Sequence, residues 1–380
     1  MANTITAVLP TVYEALNNVS RELIGMTRFM QRDTKLERVA VGQTVTVPIV
    51  PPATGGNITP GSVPPDDGDQ TFTNMTLTIT KSKYSPIRWN GEEQLALGPT
   101  GQYNAILARQ FTQSMRWLAN QVEVDAVTAA YQAASRAAGT AGTTPFATAN
   151  DLSDLAAVNR ILDDNGAPMQ GRAIVLGSAA RQNLESKQGI LLKVNEAGTN
   201  DLLRNRVMDK VLDFNFGFTG MVPTTVPGTG SGITTSGALA AGTTTITTTG
   251  GTGTIVAGDV VTFAGDSNKY VVVSGLTGGS FKIGTPGLRG SIASGTAITV
   301  GGAYVPNVAF TEDALVLAAR APAMPAGGDS ADDRTYVTDP VSGISFEVAL
   351  YREYRRIRYE VALAWGVGVP NPANIAILMG

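Results

Sequence analysis

The chain has no cysteine and no histidine, and only 16% of its 380 residues are charged. Without histidine there is no imidazole base, no Ser-His-Asp triad and no ligand of the commonest kind for zinc, copper or non-haem iron. Without cysteine there is no disulfide framework, thiolate nucleophile or Fe–S cluster. A formal net charge of −3 argues against affinity built on neutralising phosphates. No apolar run reaches the roughly 18 residues of a membrane span, and the opening MANTITAVLP has neither a basic leader nor an apolar h-region, so a cytoplasmic protein is expected. What remains is a composition 43% hydrophobic, enough to bury a core across two or three units of domain size.

From Thr11 to Met30, Val12, Leu16, Val19, Leu23 and Met26 recur at helical spacing, which predicts an amphipathic helix. Val39, Val41, Val45 and Val47 then alternate as in a strand. A second alternating run, Thr71 to Lys81, has Phe72, Met75, Leu77 and Ile79 as its apolar members. Between the two lies PPATGGNITPGSVPPDDGDQ, residues 51–70, whose five prolines and four glycines exclude a regular element. As the tip of a long hairpin it would reach a neighbouring molecule.

From about Gln102 to Ala138, residues Leu107, Phe111, Met115, Leu118, Val122, Ala126 and Ala129 step by three or four. They predict one very long helix, either the core helix of a bundle or, since no comparable partner helices are evident, a spine of another kind. Residues 151–212 read as helix, buried strand and helix, with the first helix capped by Asp151 or Ser153 and stopped near Gly166. Composition then shifts. Residues 223–303 hold 19 of the 43 glycines and five charged residues. Within them TTTITTT, DVVTFAG, KYVVVSG, SFKIG and AITVGG recur between turn residues, which reads as a small β domain, with a low-complexity linker as the alternative. Val260, Val261, Phe263, Tyr270, Val271, Val272, Phe281 and Ile283 would form its core. The end of the chain reads as the strand-like run AFTEDALVLAAR, a flexible GGDSADDR loop near residue 330, and a closing strand pair, ISFEVALYREYRRIRYEVALAWGVGV.

No catalytic constellation is present. GTGSG at 228–232 and GGTGT at 250–254 lack the following helix and the lysine of a phosphate loop, so they read as turns. Asp163 with Asp164, and Asp332 with Asp333, are adjacent and do not face each other as an acid–base dyad would. Asp66, Asp67 and Asp69 lack the ligand series of an EF-hand. Solvated loop carboxylates are their default reading, and the functional one is an acidic tip attracted to a basic patch on another subunit. For that patch the candidates are Arg352, Arg356 and Arg358 on one face of a strand from Tyr351 to Glu360, with Arg355 on the other. An edge strand charged against aggregation explains the same residues equally well.

The order of elements resembles the major capsid (coat) proteins of tailed bacteriophages, with the Hong Kong 97-like capsid fold, and in particular the short-tailed-phage coats that carry an inserted domain. Three stretches carry the resemblance: Leu118, Ala119, Asn120, Val122 and Glu123 in LANQVEVDAV; Gly258, Asp259, Phe263, Ala264 and Gly265 in GDVVTFAG; and Ala362, Leu363, Gly366, Val367 and Pro372 near the end. It implies an α+β chain with an N-arm (1–41), an extended β-hairpin loop (42–92) and a peripheral domain with the spine helix (93–149). An axial α/β domain (150–222), an inserted small β-barrel domain (223–303) and a return through the axial and peripheral domains (304–380) would follow. It further implies a non-enzymatic shell protein without cofactor or metal. Such a protein forms hexamers and pentamers of an icosahedral head around double-stranded DNA, with a scaffolding protein and a portal as partners. It would be assembled in the host bacterial cytoplasm and located in the virion.

Two other readings stay open. An encapsulin-type bacterial compartment would keep the fold and house cargo enzymes. A surface adhesin or carbohydrate-binding protein, built on residues 223–303, would require export and exposed aromatics.

Overall fold

The computed structural model describes residues 25–33, 37–49, 57, 58, 60, 73–97, 102–192, 210–339 and 343–380. Its centre is the helix Gln102–Ala133, about 48 Å long at 1.5 Å per residue. Leu107, Phe111, Met115, Leu118, Val122 and Ala126 are buried as the spacing predicts, and the apolar stripe continues through Val127 and Ala130 rather than Ala129. The helix stops short of Ala138 because residues Arg136–Ala138 form a strand, all three buried, that pairs in parallel with Ala376, Ile377 and Leu378.

This helix packs on two sheets at once, and a single core joins Phe111, Leu118 and Val122 to Trp365, Leu363 and Phe346 of one and to Val308, Phe310 and Ile377 of the other. The first sheet is built on the closing hairpin. Ser345–Glu353 and Arg356–Gly368 pair antiparallel, Asp333–Thr338 flanks the former, and Lys81–Asn90 runs along the other side of the latter. Val316–Arg320 pairs with the last third of Arg356–Gly368, and Gln31–Arg32 adds in parallel at the edge. Lys81–Asn90 is a strand that hydropathy alternation misses, since Lys81, Lys83 and Ser85 point toward the helix. They bond there to Asp125 (2.6 Å), Gln121 (2.6 Å) and Ser114 (3.0 Å), while Trp89 donates to Gln110 (2.8 Å). Four helical residues and two strand residues advance by similar distances, about 6 and 6.7 Å, so strand and helix stay in step.

The second sheet orders Asn215–Phe218, Arg172–Leu176, Pro306–Thr311, Ile375–Met379 and Arg136–Ala138. On its far face the helices Ser153–Asp164 and Ser178–Lys187 bury Leu155, Val158, Leu162 and Leu184 against Ile174 and Leu176. The expected order of helix, strand and helix holds here. The cap expectation is corrected: the N-cap is Leu152, without a side-chain cap, while Asp151 just before it accepts the Ser153 amide at 2.8 Å; Gly166, at φ +75°, ends the first helix. AFTEDALVLAAR is two strands rather than one run: Pro306–Thr311 lies in the second sheet and Val316–Arg320 in the first, with a 3-10 turn Glu312–Ala314 between them.

Residues 234–300 contribute the strands Thr234–Thr235, Thr245–Thr249, Val260–Phe263, Lys269–Thr277, Ser280–Ile283 and Ile298–Val300 around their own cluster of Ile246, Phe263, Tyr270, Val272, Phe281 and Ile283. Val260 and Val271 turn the other way, into the main core. Tyr270 pairs with Arg136, which joins this β unit to the second sheet. The two glycine-rich pieces pair with each other, Gly230 donating to Thr254 (2.8 Å) and Ser231 bridging Thr252.

Residues 25–30 are turns, not the end of a helix. The amides of Gly25, Met26 and Thr27 donate to the Glu123 carboxylate rather than to helical carbonyls; Thr11 to Ile24 lie outside the described residues. The first predicted strand is shorter than its alternation suggests. Val39 makes an isolated bridge to Pro322, Val41 is 57% exposed in a turn, and the strand itself is Thr44–Ile49, paired with Thr73–Thr78. That hairpin rests its base on the end of Arg356–Gly368. There Gly366 permits the crossing, since a Cβ on it would lie 2.3 Å from the Thr78 carbonyl oxygen.

Candidate intersubunit surface

The four candidate arginines sit on the closing hairpin, but not as one strand. The chain reverses at Tyr354 and Arg355, the latter at φ 56°, so Tyr351–Glu360 is a strand end, a two-residue turn and a strand start. Directly opposed residues of an antiparallel pair share a face. Arg358 is opposite Tyr351 and Arg356 opposite Glu353, whereas Arg352 is opposite Ile357. The expectation that Arg352 shares a face with Arg356 and Arg358 is therefore corrected. Arg352 lies on the helix side of the sheet and the other two on the open side. Nor is Arg356–Gly368 an edge strand, since Lys81–Asn90 and Ser345–Glu353 flank it.

Two arginines and the turn nevertheless meet around one groove. It encloses about 710 Å3 and is lined by Arg352, Arg355 and Arg356 together with Trp89, Leu95 and Ile357. The short helix Gly91–Leu97 forms its other wall, fixed to the turn by a hydrogen bond from the Gly91 amide to the Arg355 carbonyl oxygen (3.1 Å). Leu95 is 76% exposed and Tyr354 86%. Their exposure in the folded chain is a signal that residue type alone does not carry.

The groove is less basic than the sequence suggests. Arg352 pairs with Asp332 at 2.9 Å, and Arg356 with Glu353. Arg355 stacks on the Tyr354 ring, 5.6 Å from its centroid, and makes no ion pair among the described residues. Arg358 lies apart, paired with Glu360 and placed over the rings of Tyr84 and Tyr351 at 5.5 and 5.6 Å. Tyr351 donates to Asp329 (3.0 Å), and burial followed by that bond raises its pKa. Asp66, Asp67 and Asp69 lie outside the described residues.

The open face of this sheet continues the pattern. Arg38 pairs with Glu347 at 2.9 Å and donates to the Tyr336 hydroxyl at 2.7 Å, and Arg334 pairs with Asp329. Arginine and tyrosine are the residue types enriched at binding surfaces, since they offer contact area with one polar end. Among the described residues no group of three or more acidic side chains could hold a metal. Asp163 goes to Arg172 (2.7 Å) and Asp164 to Arg136 (3.2 Å), so that carboxylate pair diverges. No helix among the described residues is long and apolar enough to cross a membrane.

No family model and no curated protein matches the sequence. Solved structures do. The capsid of the Cyanophage P-SCSP1u aligns at TM-score 0.50 and 11% identity over 94% of this chain and 88% of its own. A structure from Mycobacterium phage Ogopogo gives 0.45 and 11%, over 94% and 92%. The virus-like particle from Pyrococcus furiosus gives 0.44 and 10%, over 97% and 98%. The chain is mixed α+β, with few helices and many strands, and shares its fold with the cyanophage capsid protein.

Proposed function

We propose that this chain is the major capsid protein of a tailed bacteriophage, of the short-tailed-phage coat type, assembling into the hexamers and pentamers of an icosahedral head around double-stranded DNA. The observation that carries the reading is the shared fold, which runs through nearly the whole chain rather than one module. Two features of the molecule support it. The hairpin Thr44–Ile49 with Thr73–Thr78 packs its base on the body through Val45 and Leu77. The turn at Tyr354 and Arg355 holds a groove open toward solvent.

The finer assignments follow the same reading. Residues 1–41 are the N-arm, 42–92 the extended loop, 93–149 the peripheral domain, 150–222 the axial domain, 223–303 an inserted β-barrel and 304–380 the return. Thr234 bridges Ala297, which sets the last strand of the β unit beside its first and supports a closed barrel. Asp66, Asp67 and Asp69 of one subunit meet Arg352, Arg355, Arg356 and Arg358 of another. Since Arg352, Arg356 and Arg358 already hold carboxylates, that contact works by exchange of partners, with Arg355 as its most available cation. The protein works by shape, without catalysis or cofactor, and shell closure follows from repeating such contacts by symmetry. A scaffolding protein and a portal are its expected partners, and the virion its location.

Co-expression with the phage's scaffolding protein followed by velocity sedimentation tests this. The expected result is a fast, narrow boundary of closed particles. Only monomers or one small oligomer under every condition refutes the proposal, and particles holding cargo protein instead of DNA after infection replace it with the compartment reading.

A further inference from the structure

Residues 25–33 cross from one sheet to the other, and they are held at the two ends in different ways. At the far end they behave as a strand. Gln31 and Arg32 pair in parallel with Val316 and Leu317, the Gln31 and Asp33 amides donate to Leu315 and Leu317 (3.0 Å each), and Asp33 pairs with Arg320. At the near end there is no strand partner among the described residues. Three successive amides, those of Gly25, Met26 and Thr27, converge instead on the Glu123 carboxylate, at 3.0, 2.6 and 3.3 Å.

Glu123 belongs to the long helix and is 1% exposed. Burial raises its pKa, and the amides of Met26, Thr27 and Gly25 oppose that rise by favouring the charged form. Behind the segment stands the edge strand of the second sheet. A Cβ on Gly217 would lie 2.6 Å from the Gly25 carbonyl oxygen, and one on Gly25 2.7 Å from that of Phe218. The two backbones touch, so only glycine fits at either position. Met26 and Met30 drop into the main core between these two points.

Elsewhere the chain passes between the sheets at 311–316, at 368–375 and through the long helix between Lys81–Asn90 and Arg136–Ala138, where strands of the two sheets flank the crossing on both sides. The 25–33 crossing differs because, among the described residues, the backbone amides at its near end are held by one side chain, beside the contact of Gly25 with Gly217 and Phe218 and the burial of Met26 and Met30. A single group holds three backbone donors, and losing it frees all three together.

We propose that residues 25–33 are a releasable tie between the two sheets, with Glu123 as the positioning residue that latches it. The inference does not depend on shell assembly and is tested on the monomeric full chain. Because the chain lacks cysteine, exposed Ser82 and Ser186, one on each sheet unit, can be replaced by cysteine for paired spin labels without background. In the parent the label–label distance distribution is narrow. In Glu123→Ala, which removes both acceptor oxygens, the amides of residues 25–27 exchange at least about tenfold faster and the distribution broadens, while amides of the buried strand Arg172–Leu176 keep their protection. Unchanged exchange at 25–27 overturns the proposal, as does faster exchange there with an unchanged distance distribution. Should Glu123→Ala not fold, Glu123→Gln, which keeps one acceptor oxygen, is read at the Thr27 amide; faster exchange there with a broadened distribution supports the tie, and no change in either overturns it.

Discussion

Gly366 is conspicuous in the sequence only as part of a family-like ending, and its physical reason appears once the hairpin is seen crossing above it. A Cβ there would meet the Thr78 carbonyl oxygen at 2.3 Å, with no side chain to move aside. Gly366→Ala should therefore cost about 1–3 kcal/mol, read as a lower urea midpoint with faster amide exchange at residues 76–79; an unchanged midpoint would show that the hairpin base yields freely. Asp151 gives a pH-dependent case. Its carboxylate accepts the Ser153 amide, which lowers its pKa in the folded chain. A depressed carboxyl pKa stabilises above the unfolded value, and that contribution is lost as pH falls through the folded one. The stability difference between parent and Asp151→Ala should thus be present at neutral pH and shrink on acidification; a difference that does not change with pH contradicts it. Asp259, quoted for its motif alone, likewise has a structural task, since its carboxylate takes the Gly228 and Val256 amides at 3.0 and 2.8 Å.

The elements that were legible are those whose apolar spacing is long and regular. The pattern predicts the helix Gln102–Ala133 and five of the six short strands of the glycine-rich region, all but Thr234–Thr235, since burial on one face imposes a period. Lys81–Asn90 escaped because its inward residues are lysine and serine, satisfied by the helix and not by oil-like contact. Residues 25–30 escaped in the opposite sense. Their spacing fits a helix, but the Glu123 carboxylate takes the amides that a helix would use. The strand–helix contact makes its own prediction. Asp125 accepts from both Lys81 (2.6 Å) and the fully buried Trp365 (2.8 Å). Asp125→Ala leaves the indole N–H without its acceptor and should cost about 1–3 kcal/mol, whereas Asp125→Asn, which keeps an acceptor oxygen, should cost less. Denaturant unfolding followed by tryptophan fluorescence measures both; equal costs would mean that the hydrogen bond to Trp365 carries little.

For the molecule as a whole, the long helix was legible in the spacing of its apolar residues. The arrangement of the arginines was not, because a two-residue turn reverses which residues share a face. The proposed exchange of partners implies that charge matters at the groove more than at the open face. Arg355→Glu with Arg356→Glu should lower the yield of assembled particles several-fold at low salt while leaving thermal unfolding of the monomer close to the parent; assembly as efficient as the parent's would remove these residues from the interface. If residues 25–33 do tie the sheets, they also limit how far one chain can flex to fit neighbours in rings of different size. The most direct measurement is an electron micrograph of the assembled protein, with the particles averaged. The account predicts closed spherical shells with subunits grouped in fives and sixes; filaments, single small rings or unassembled chains in every condition would contradict it.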